Sequence, residues 1–259
     1  MAGGAGMSDV VKNALRQIPG WQNASWSELK GGLTNPCWLI DRGDRKAVLK
    51  IDDKPRSEPF SSRPAEAQIQ RRAAAQKLAN EVIYVSDTLL MTEFIDGVIW
   101  SAGCLDKEEN LETLAAAMRR LHSLPLTGRT FDALGAAQNY AAKIRDGDKA
   151  KIRSCLAKIE AMPLPHNLCC CHNDLVAANI IFTPEVHFLD WEYACDNDPF
   201  FDIATIVAHH RLPPERANHL LDAYFDGDGA RWRGQLARQT EFYDALHWLW
   251  AAAHSPAVT

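Results

Sequence analysis

Three neighbouring runs of residues decide the fold of this chain. They are C-H-N-D-L-V-A-A-N-I-I-F at residues 171–182, H-F-L-D-W-E-Y-A at residues 187–194 and N-D-P-F-F-D-I-A at residues 197–204. Within them, Asp174, Asn179 and Asp190 lie at the ends of short apolar segments. Mg²⁺ prefers oxygen ligands and usually completes its coordination shell with water and substrate phosphates. Because phosphoryl transfer needs such a metal and a carboxylate that orients the attacking hydroxyl, the runs predict a phosphotransfer site.

A simpler interpretation of these residues is a loop in which Asp and Asn stabilise a turn. The spacing His-x-Asp-x4-Asn arises by chance roughly 3% of the time in a chain of this length. The second element, Asp190 after an apolar segment, lowers that chance further. The combined pattern therefore favours the phosphotransfer interpretation.

The three runs resemble the phosphotransfer core of the aminoglycoside phosphotransferase and choline kinase superfamily. The D-W-E-Y-A and N-D-P-x-x-D-I-A segments are most similar to the choline/ethanolamine kinase and bacterial thiamine kinase branches. The resemblance extends over roughly residues 29–253. It implies an α+β, protein-kinase-like two-lobed fold, with a small β-rich N-terminal lobe at residues 1–95 and a larger α-rich C-terminal lobe at residues 96–259.

Hydrophobic patterning and turn residues predict the same order of elements. A short helix (8–17), three strands (25–30, 36–41 and 46–51), a helix (63–79) and a hairpin (81–85 with 88–93) come before Asp96-Gly97. After it come helices at 107–123, 131–145 and 149–162, strands at 168–171, 180–182 and 187–189, and helices at 201–210, 214–225 and 230–253.

Composition excludes several classes of protein. The chain has 259 residues, 47% of them hydrophobic, and a net charge of −5, so nucleic acid is not an expected partner. No apolar run reaches the length of a membrane span, and no signal peptide is recognised. The seven cysteines are an odd number, so we expect no disulfide framework; Cys169–Cys171 fit small apolar residues of a buried strand, and a cytoplasmic location follows. We expect residues 1–7, rich in Gly and Ala, to be disordered.

The resemblance assigns roles in ATP and Mg²⁺ binding. Asp174 is the expected catalytic base or orienting group, and Asn179 and Asp190 are the expected Mg²⁺ ligands. In kinases, a lysine placed like Lys50 of A-V-L-K-I holds the α and β phosphates and is steadied by a glutamate on the next helix, here Glu66.

Further roles concern the nucleotide and the catalytic loop. In the loop after the first strand, Gly32, Thr34 and Asn35 are expected to approach the phosphates, although a plain hairpin turn remains open. The main chain of Glu93 and Ile95 is the expected hinge that meets adenine. Two further expectations are that Asp202 binds the backbone of the catalytic loop and that His172 packs that loop.

The acceptor is expected to be a small cationic alcohol. Asn173 replaces the arginine of the protein-kinase H-R-D motif, and too few residues separate Asp190 from Asp202 to present a peptide. Residues 159–210 contain no Lys or Arg but eight acidic residues, which favours a cation.

Choline or ethanolamine is favoured as the acceptor, with thiamine or an aminoglycoside as the alternative. A catalytically inactive nucleotide-binding pseudokinase is the alternative of another class. The expected acceptor-binding residues are aromatic or acidic, because aromatic faces bind quaternary ammonium groups. They are Trp191, Glu192, Tyr193 and Trp250. For Trp250, core packing of the last helix remains an equal interpretation.

Overall fold

The structure of the chain is a computed structural model, and it describes residues 4–29, 36–56, 62–145, 147–165 and 167–254. The chain divides into two compact units. Unit 1 is Met1–Val98 with Thr183–Tyr193, and unit 2 is Ile99–Phe182 with Ala194–Thr259. The boundary at Val98 lies three residues beyond the predicted end of the N-terminal lobe. The return of residues 183–193 to unit 1 was not part of the prediction.

Unit 1 consists of an antiparallel sheet, two helices and a short later segment, residues 183–193, where the chain returns from unit 2. Its described elements are α1 (Gly4–Arg16), β1 (Ser25–Leu29), β2 (Cys37–Asp41), β3 (Lys46–Ile51), α2 (Arg63–Ala75), β4 (Val82–Val85), β5 (Leu89–Glu93), and later β9 (Glu185–Phe188) with a 3-10 turn at Trp191–Tyr193. Two strands, β6 (Val98–Ile99) and β8 (Ile180–Thr183), lie where the chain passes from one unit to the other.

The sheet of unit 1 buries one face against the first helix. Its strand order is β1-β2-β3-β5-β4, and each neighbouring pair is antiparallel. Ile40 and Leu49 are fully buried in a core that includes Leu15 and Ile18. Successive side chains of a strand point to opposite faces, so Lys50 projects from the face opposite to Leu49. Its cross-strand neighbours are Cys37 and Leu90.

Helix α2 is shorter than predicted and carries buried charge. Ser62 caps it by accepting a hydrogen bond from the Ala65 N–H at 3.3 Å. The helix ends at Ala75, and Lys77 has a φ of 54°, a left-handed conformation that cannot continue an α-helix. Arg63 and Glu66, both on this helix, are almost completely buried.

Unit 2 is mostly helical. Its described elements are a 3-10 turn at Ala102–Asp106, α3 (Glu108–His122), α4 (Ala133–Lys143), α5 (Lys149–Glu160), β7 (Cys169–Cys171), a 3-10 turn at Ala177–Asn179, β10 (Cys195–Asn197), α6 (Pro199–His209), α7 (Pro214–Tyr224), a 3-10 turn at Gly229–Trp232 and α8 (Arg233–His254). The predicted helices of this region are present with ends shifted by a few residues.

The core of unit 2 follows from helical periodicity. Leu111, Leu114, Met118 and Leu121 form one buried face of α3, as their spacing predicts. Helix α6 is apolar almost all round, and its side chains from Phe200 to Val207 are buried. A helix with this composition belongs inside a core, and α6 packs against α8.

Two features of the chain termini and helices bear on the predictions. Helix α1 begins at Gly4, so the expected disorder of residues 1–7 is wrong for the last four of them. Of the helices that the structure describes, none combines the length and the apolar character that crossing a membrane requires.

Asp196 of the unpredicted strand β10 fastens a loop of unit 2. Strand β10 pairs with β7, with Cys195 opposite Cys171. The buried carboxylate of Asp196 accepts hydrogen bonds from the backbone N–H groups of Thr127, at 2.7 Å, and Gly128, at 2.9 Å. Hydrogen bonds to a charged group are stronger than those between neutral groups. Asp196 therefore has a structural role, because it holds the loop at Thr127 and Gly128.

We expect Asp196→Ala to lower the free energy of unfolding by about 3 kcal/mol, because it removes the buried carboxylate that accepts from two backbone N–H groups. Urea denaturation of the variant and the wild type measures the difference. Asp228→Ala is the matched control, since its ion pair with Arg231 is mostly exposed and contributes at most about 1 kcal/mol. Equal losses in the two variants would contradict the structural role.

Candidate active site

The amine of Lys50 is the centre of a charged cluster in unit 1. Its Nζ lies 3.0 Å from Glu66 Oε1 and 2.7 Å from Asp190 Oδ1. The structure thus contains the ion pair expected between Lys50 and Glu66. Asp190 joins the same amine because residues 183–193 belong to unit 1. One cation therefore meets two carboxylates.

Two arginines and an aspartate extend this cluster. Arg63 donates to Glu66 Oε2 at 2.7 Å and to both carboxylate oxygens of Asp52 at 2.8 Å. Arg56 donates to Asp52 at 3.0 Å and to Glu192 Oε2 at 2.6 Å. The result is a continuous chain of ion pairs from Lys50 to Glu192. Buried charges need partners of this kind to offset lost hydration.

The environment shifts the pKa values of these groups. Burial alone would lower the pKa of Lys50, but the carboxylates of Glu66 and Asp190 outweigh it and raise that pKa above its usual value. Burial, reinforced by the nearby charge of Asp190, raises the pKa of Glu192. Lys50 is therefore positively charged at neutral pH, ready to bind an anion.

Asp190 lies in a special backbone conformation. Its φ is 62°, in the left-handed region that Asp and Asn tolerate better than most residues. The strand β9 ends at Phe188, and this turn follows two residues later. The side chain of Asp190 remains 37% exposed, in contrast to the buried Glu66. Asp190 can therefore reach a ligand while it contacts Lys50.

In unit 2, Asp174 and Asn179 are linked by hydrogen bonds. The amide nitrogen of Asn179 donates to Asp174 Oδ2 and to the Asp174 carbonyl, each at 2.9 Å. The turn that brings them together is completed by the N–H of Val176, which donates to the same carbonyl at 2.9 Å. Because Asn179 uses its nitrogen for both bonds, its amide oxygen faces away from Asp174 and is suited to bind a metal.

Asp202 holds the backbone of the loop that carries Asp174. Its carboxylate accepts from the N–H of His172 at 2.9 Å and from the N–H of Asn173 at 2.8 Å. It also accepts from His122 Nε2 at 3.0 Å. The predicted supporting role of Asp202 is confirmed. Burial would raise its pKa, but the bonds from His122 and the loop outweigh burial and lower it.

Two further residues shape the same loop. Asn173 has a φ of 62°, and its amide oxygen accepts from Asn197 at 2.8 Å. His210 Nε2 accepts from the N–H of Ala177 at 2.9 Å, so its ring is neutral in this arrangement. Burial, with a smaller effect of His209, lowers the pKa of His210 to about 4. The expected packing role of His172 agrees with its complete burial.

An aromatic ladder runs along one face of α8. The rings of Tyr243 and His247 stack with centroids 5.5 Å apart, and His247 stacks on Trp250 at 5.8 Å. Trp250 then contacts His254 at 5.1 Å. Burial, followed by the charge of Asp174, raises the pKa of Tyr243. Trp250 is half-buried and belongs to this ladder.

Two of the predicted acceptor-binding residues do not fit that role. Trp191 is completely buried, and its indole N–H donates to the Phe188 carbonyl at 3.0 Å, so it packs the core of unit 1. Glu192 is buried and its carboxylate is bound by Arg56. Both residues support the turn around Asp190 instead of facing a ligand. Tyr193 is half-buried and stays a prediction.

The predicted nucleotide-binding residues have different outcomes. Gly32, Thr34 and Asn35 lie outside the described residues. The N–H of Glu93 donates to the Glu81 carbonyl at 2.9 Å, and its carbonyl accepts from Asn80 at 2.7 Å. These bonds use the N–H of Glu93 within unit 1, while its carbonyl keeps a second lone pair, so the adenine contact of Glu93 stays a prediction. Ile95 stays a prediction.

The acidic surplus of residues 159–210 is largely used within the protein. Asp196 and Asp202 bind backbone N–H groups, and Asp198 caps α6 by accepting from Phe200 at 2.9 Å. Glu192 is bound by Arg56. Less negative charge is therefore free to attract a cation than the sequence predicted.

Sequence reasoning missed several residues of the site. Arg56, Arg63 and Asp52 were not assigned, although Arg63 lies three residues before Glu66 on the predicted helix, a spacing that allows an ion pair. His122 and His210 reach the catalytic loop from positions far away in the sequence. No local pattern identifies them.

Comparison with known proteins extends these observations. Residues 25–253 match the phosphotransferase enzyme family. The protein LicA of Haemophilus influenzae is 28% identical over 209 residues, which cover 75% of this chain and 61% of that protein. The chain thus spans about three fifths of that relative's length.

Solved structures share the fold over nearly the whole chain. A choline/ethanolamine kinase family protein from Mesorhizobium loti is 25% identical with a TM-score of 0.73, and the match covers 95% of this chain and 85% of the other. The choline kinase LicA from Streptococcus pneumoniae is 18% identical with a TM-score of 0.80, covering 96% of this chain and 91% of the other. The kinase-like fold is therefore confirmed.

The family match covers most of the sequence, and it includes every described residue of the Lys50 cluster and of the Asp174 loop. Together, fold and match confirm the family expected from the three runs. The chain belongs to the phosphotransferase enzyme family and has the fold of its choline/ethanolamine kinase branch.

Proposed function

We propose that the protein transfers the terminal phosphoryl group of ATP to the hydroxyl of a small cationic alcohol. Choline or ethanolamine is the favoured acceptor. The names of its relatives support this choice, since they include choline kinases and the mouse ethanolamine kinase 2, which is 24% identical over 221 residues. Thiamine or an aminoglycoside is the alternative, and one related structure is an aminoglycoside phosphotransferase.

The observation that carries the proposal is the contact of Lys50 with both Glu66 and Asp190. Kinases use a strand lysine, a helix glutamate and a metal-binding aspartate together, and the three must be in place for phosphoryl transfer. Here the amine of Lys50 contacts both carboxylates. Lys50 binds the nucleotide phosphates, and Glu66 holds its side chain in position with the help of Arg63.

The loop of unit 2 supplies the group that handles the acceptor. Asp174 accepts a hydrogen bond from the acceptor hydroxyl and aligns it for in-line attack. Asn179 fixes the carboxylate of Asp174 through its 2.9 Å bond, and Asp202 fixes the loop backbone. Positioning of this kind supplies much of the rate enhancement in phosphoryl transfer, where the protein does little covalent chemistry.

The residues present also fit Mg²⁺. The amide oxygen of Asn179 and the partly exposed carboxylate of Asp190 are hard oxygen donors, which suit this ion. We propose that they hold Mg²⁺, which when bound neutralises negative charge on the phosphates. The amine of Lys50, which already contacts Asp190 at 2.7 Å, orients that carboxylate.

For the acceptor, the ladder on α8 offers aromatic faces to a cation. Trp250 is the residue of this ladder best suited to bind an ammonium group, because Trp gives the strongest cation–π interaction. On the same ladder, burial and then the charge of Asp174 raise the pKa of Tyr243. Tyr193 stays a further candidate contact.

An inactive nucleotide-binding protein is the second candidate function. Both described carboxylates around Lys50 and the Asp174–Asn179 pair are present, which argues against it. Binding of Mg-ATP without phosphorylation of any tested acceptor would favour it.

Removal of the Asp174 carboxylate tests the chemistry. We expect Asp174→Ala to lower kcat by about 10²–10⁴-fold, the usual contribution of a positioned acid–base group, and to leave KM for ATP within a few-fold. Steady-state kinetics at saturating acceptor measure both. Asp228→Ala, at an exposed site, is the matched control. A kcat for Asp174→Ala within a few-fold of wild type would remove this residue from the mechanism.

A screen of acceptors tests the substrate class. We expect ATP consumption with choline or ethanolamine to exceed that with thiamine or kanamycin. We further expect Trp250→Ala to raise KM for choline about 10-fold, because a cation–π contact contributes about 0.5–2 kcal/mol. Trp248→Ala is the control from the same helix, since Trp248 contacts Lys151 on a different side. Equal effects of the two substitutions would rule out a specific contact with Trp250.

The depressed pKa of His210 predicts a dependence of stability on pH. The unfolded chain takes up a proton near pH 6.5, while the folded chain resists until about pH 4, so stability falls as pH falls through this window. Between pH 7 and pH 5, we expect the free energy of unfolding of His210→Gln to fall by about 1 kcal/mol less than that of the wild type. This figure allows for the partial exposure of the His210 ring. Urea denaturation at both pH values measures this. Identical losses would show that His210 does not stay neutral.

A further inference from the structure

Two thiols lie side by side on strand β7, outside the site described above. Residues two apart on a strand share a face, so Cys169 and Cys171 point the same way and Cys170 points the other way. Their sulfur atoms are 3.5 Å apart. The sequence predicted three small apolar residues of a buried strand, and the structure adds that Cys169 and Cys171 form a pair on one face of it.

The imidazole of His122 completes a three-residue group with these thiols. The possible ligand atoms of His122, Cys169 and Cys171 all lie within 4.8 Å of one another. His122 Nε2 donates to the Asp202 carboxylate, so the lone pair of the neutral ring is on Nδ1. That nitrogen now accepts from the Tyr224 hydroxyl at 2.7 Å.

The separation of the two sulfur atoms is close to that in a tetrahedral metal site. A Zn–S bond of about 2.3 Å and tetrahedral angles place two sulfur ligands about 3.8 Å apart. The observed separation of 3.5 Å needs only a small adjustment. Metal-bound histidines usually donate their other N–H to a carboxylate, which orients the ring. The bond from His122 to Asp202 already has this form.

We propose that Cys169, Cys171 and His122 form a binding site for a soft divalent ion such as Zn²⁺ or Cd²⁺. The two sulfurs and the imidazole nitrogen select such an ion over Mg²⁺, which prefers oxygen ligands. The ion replaces the hydroxyl of Tyr224 at Nδ1, and that hydroxyl or water occupies the fourth position. Cys169 is half-buried, which gives the ion a route to the site.

Binding requires the loss of protons from both thiols, because the thiolate is the ligand. Burial, with the neighbouring Cys169, raises the pKa of Cys171. A metal must therefore displace these protons, and its affinity increases with pH. The same burial keeps the Cys171 thiol protonated while no ion is bound.

The site is connected to the catalytic loop through a single carboxylate. Asp202 accepts from His122 and also from the N–H groups of His172 and Asn173. A metal ion at His122 draws electron density from the ring and makes its N–H a stronger donor to Asp202. Occupancy of the site therefore changes how firmly Asp202 holds the loop backbone.

Titration of the fully reduced protein with Cd²⁺ tests the site. We expect one equivalent to bind and to give the ultraviolet charge-transfer absorption of a cadmium thiolate. Loss of a group that only orients a metal ligand weakens binding by about 10- to 100-fold. Cys169→Ser and Cys171→Ser each remove a ligand, so we expect each to weaken Cd²⁺ binding by at least that factor. Cys104→Ser, at a half-buried thiol outside the group, is the control and should bind as wild type.

The choice of variants separates the possible outcomes. Because Cys171 is buried, its substitution lowers stability, whereas the half-buried Cys169 can be replaced in a folded protein. Unchanged absorption in Cys169→Ser, or none in wild type, overturns the proposal. Hydrogen exchange at the amides of His172 and Asn173 measures the link to the loop, and we expect it to change on addition of Cd²⁺ in wild type but not in Cys169→Ser. These readouts do not depend on phosphotransferase activity.

Discussion

The contact of one partly buried ammonium, that of Lys50, with two carboxylates organises unit 1. Lys50 leaves the hydrophobic core on the face of β3 opposite to Leu49, and a lone charge there would lose hydration without compensation. The carboxylates of Glu66 on α2 and of Asp190 on residues 183–193 compensate for that lost hydration. Glu66 is in turn bound by Arg63, which binds Asp52. The positions of a strand, a helix and a returning turn thus depend on one charge.

Unit 2 uses a carboxylate in the corresponding way. Asp202, at the start of an apolar helix, accepts from two consecutive backbone N–H groups and from the ring of His122. These bonds fix a turn in which Asn173 has a left-handed conformation. A fixed turn keeps Asp174 in one orientation, and Asn179 limits its remaining freedom. The orientation of Asp174 therefore depends on hydrogen bonds made by Asp202 and Asn179.

Much of the fold could be predicted because the signals are local. Helix α3 shows a regular apolar spacing, and α2 is rich in Ala, Gln and Arg, so both were predicted from short windows of sequence. Strand β10, of three residues, was missed because its pairing with β7 is a long-range contact without a periodic pattern. The assignment of residues 183–193 to unit 1 was missed for the same reason, since no local feature reports which unit a segment joins.

The sequence by itself determined the family and the order of most elements, and it predicted the reactive groups, because these depend on residue type and spacing along the chain. Only the tertiary structure decided which acidic residues are committed to the protein. Asp196, Asp198 and Glu192 look alike in the sequence, yet each is bound by groups that folding brings to it. It also decided that Trp191 lies in a core while Trp250 lies on a ladder of rings. Partners of this kind come from distant parts of the chain, and burial and pairing follow from where those parts meet.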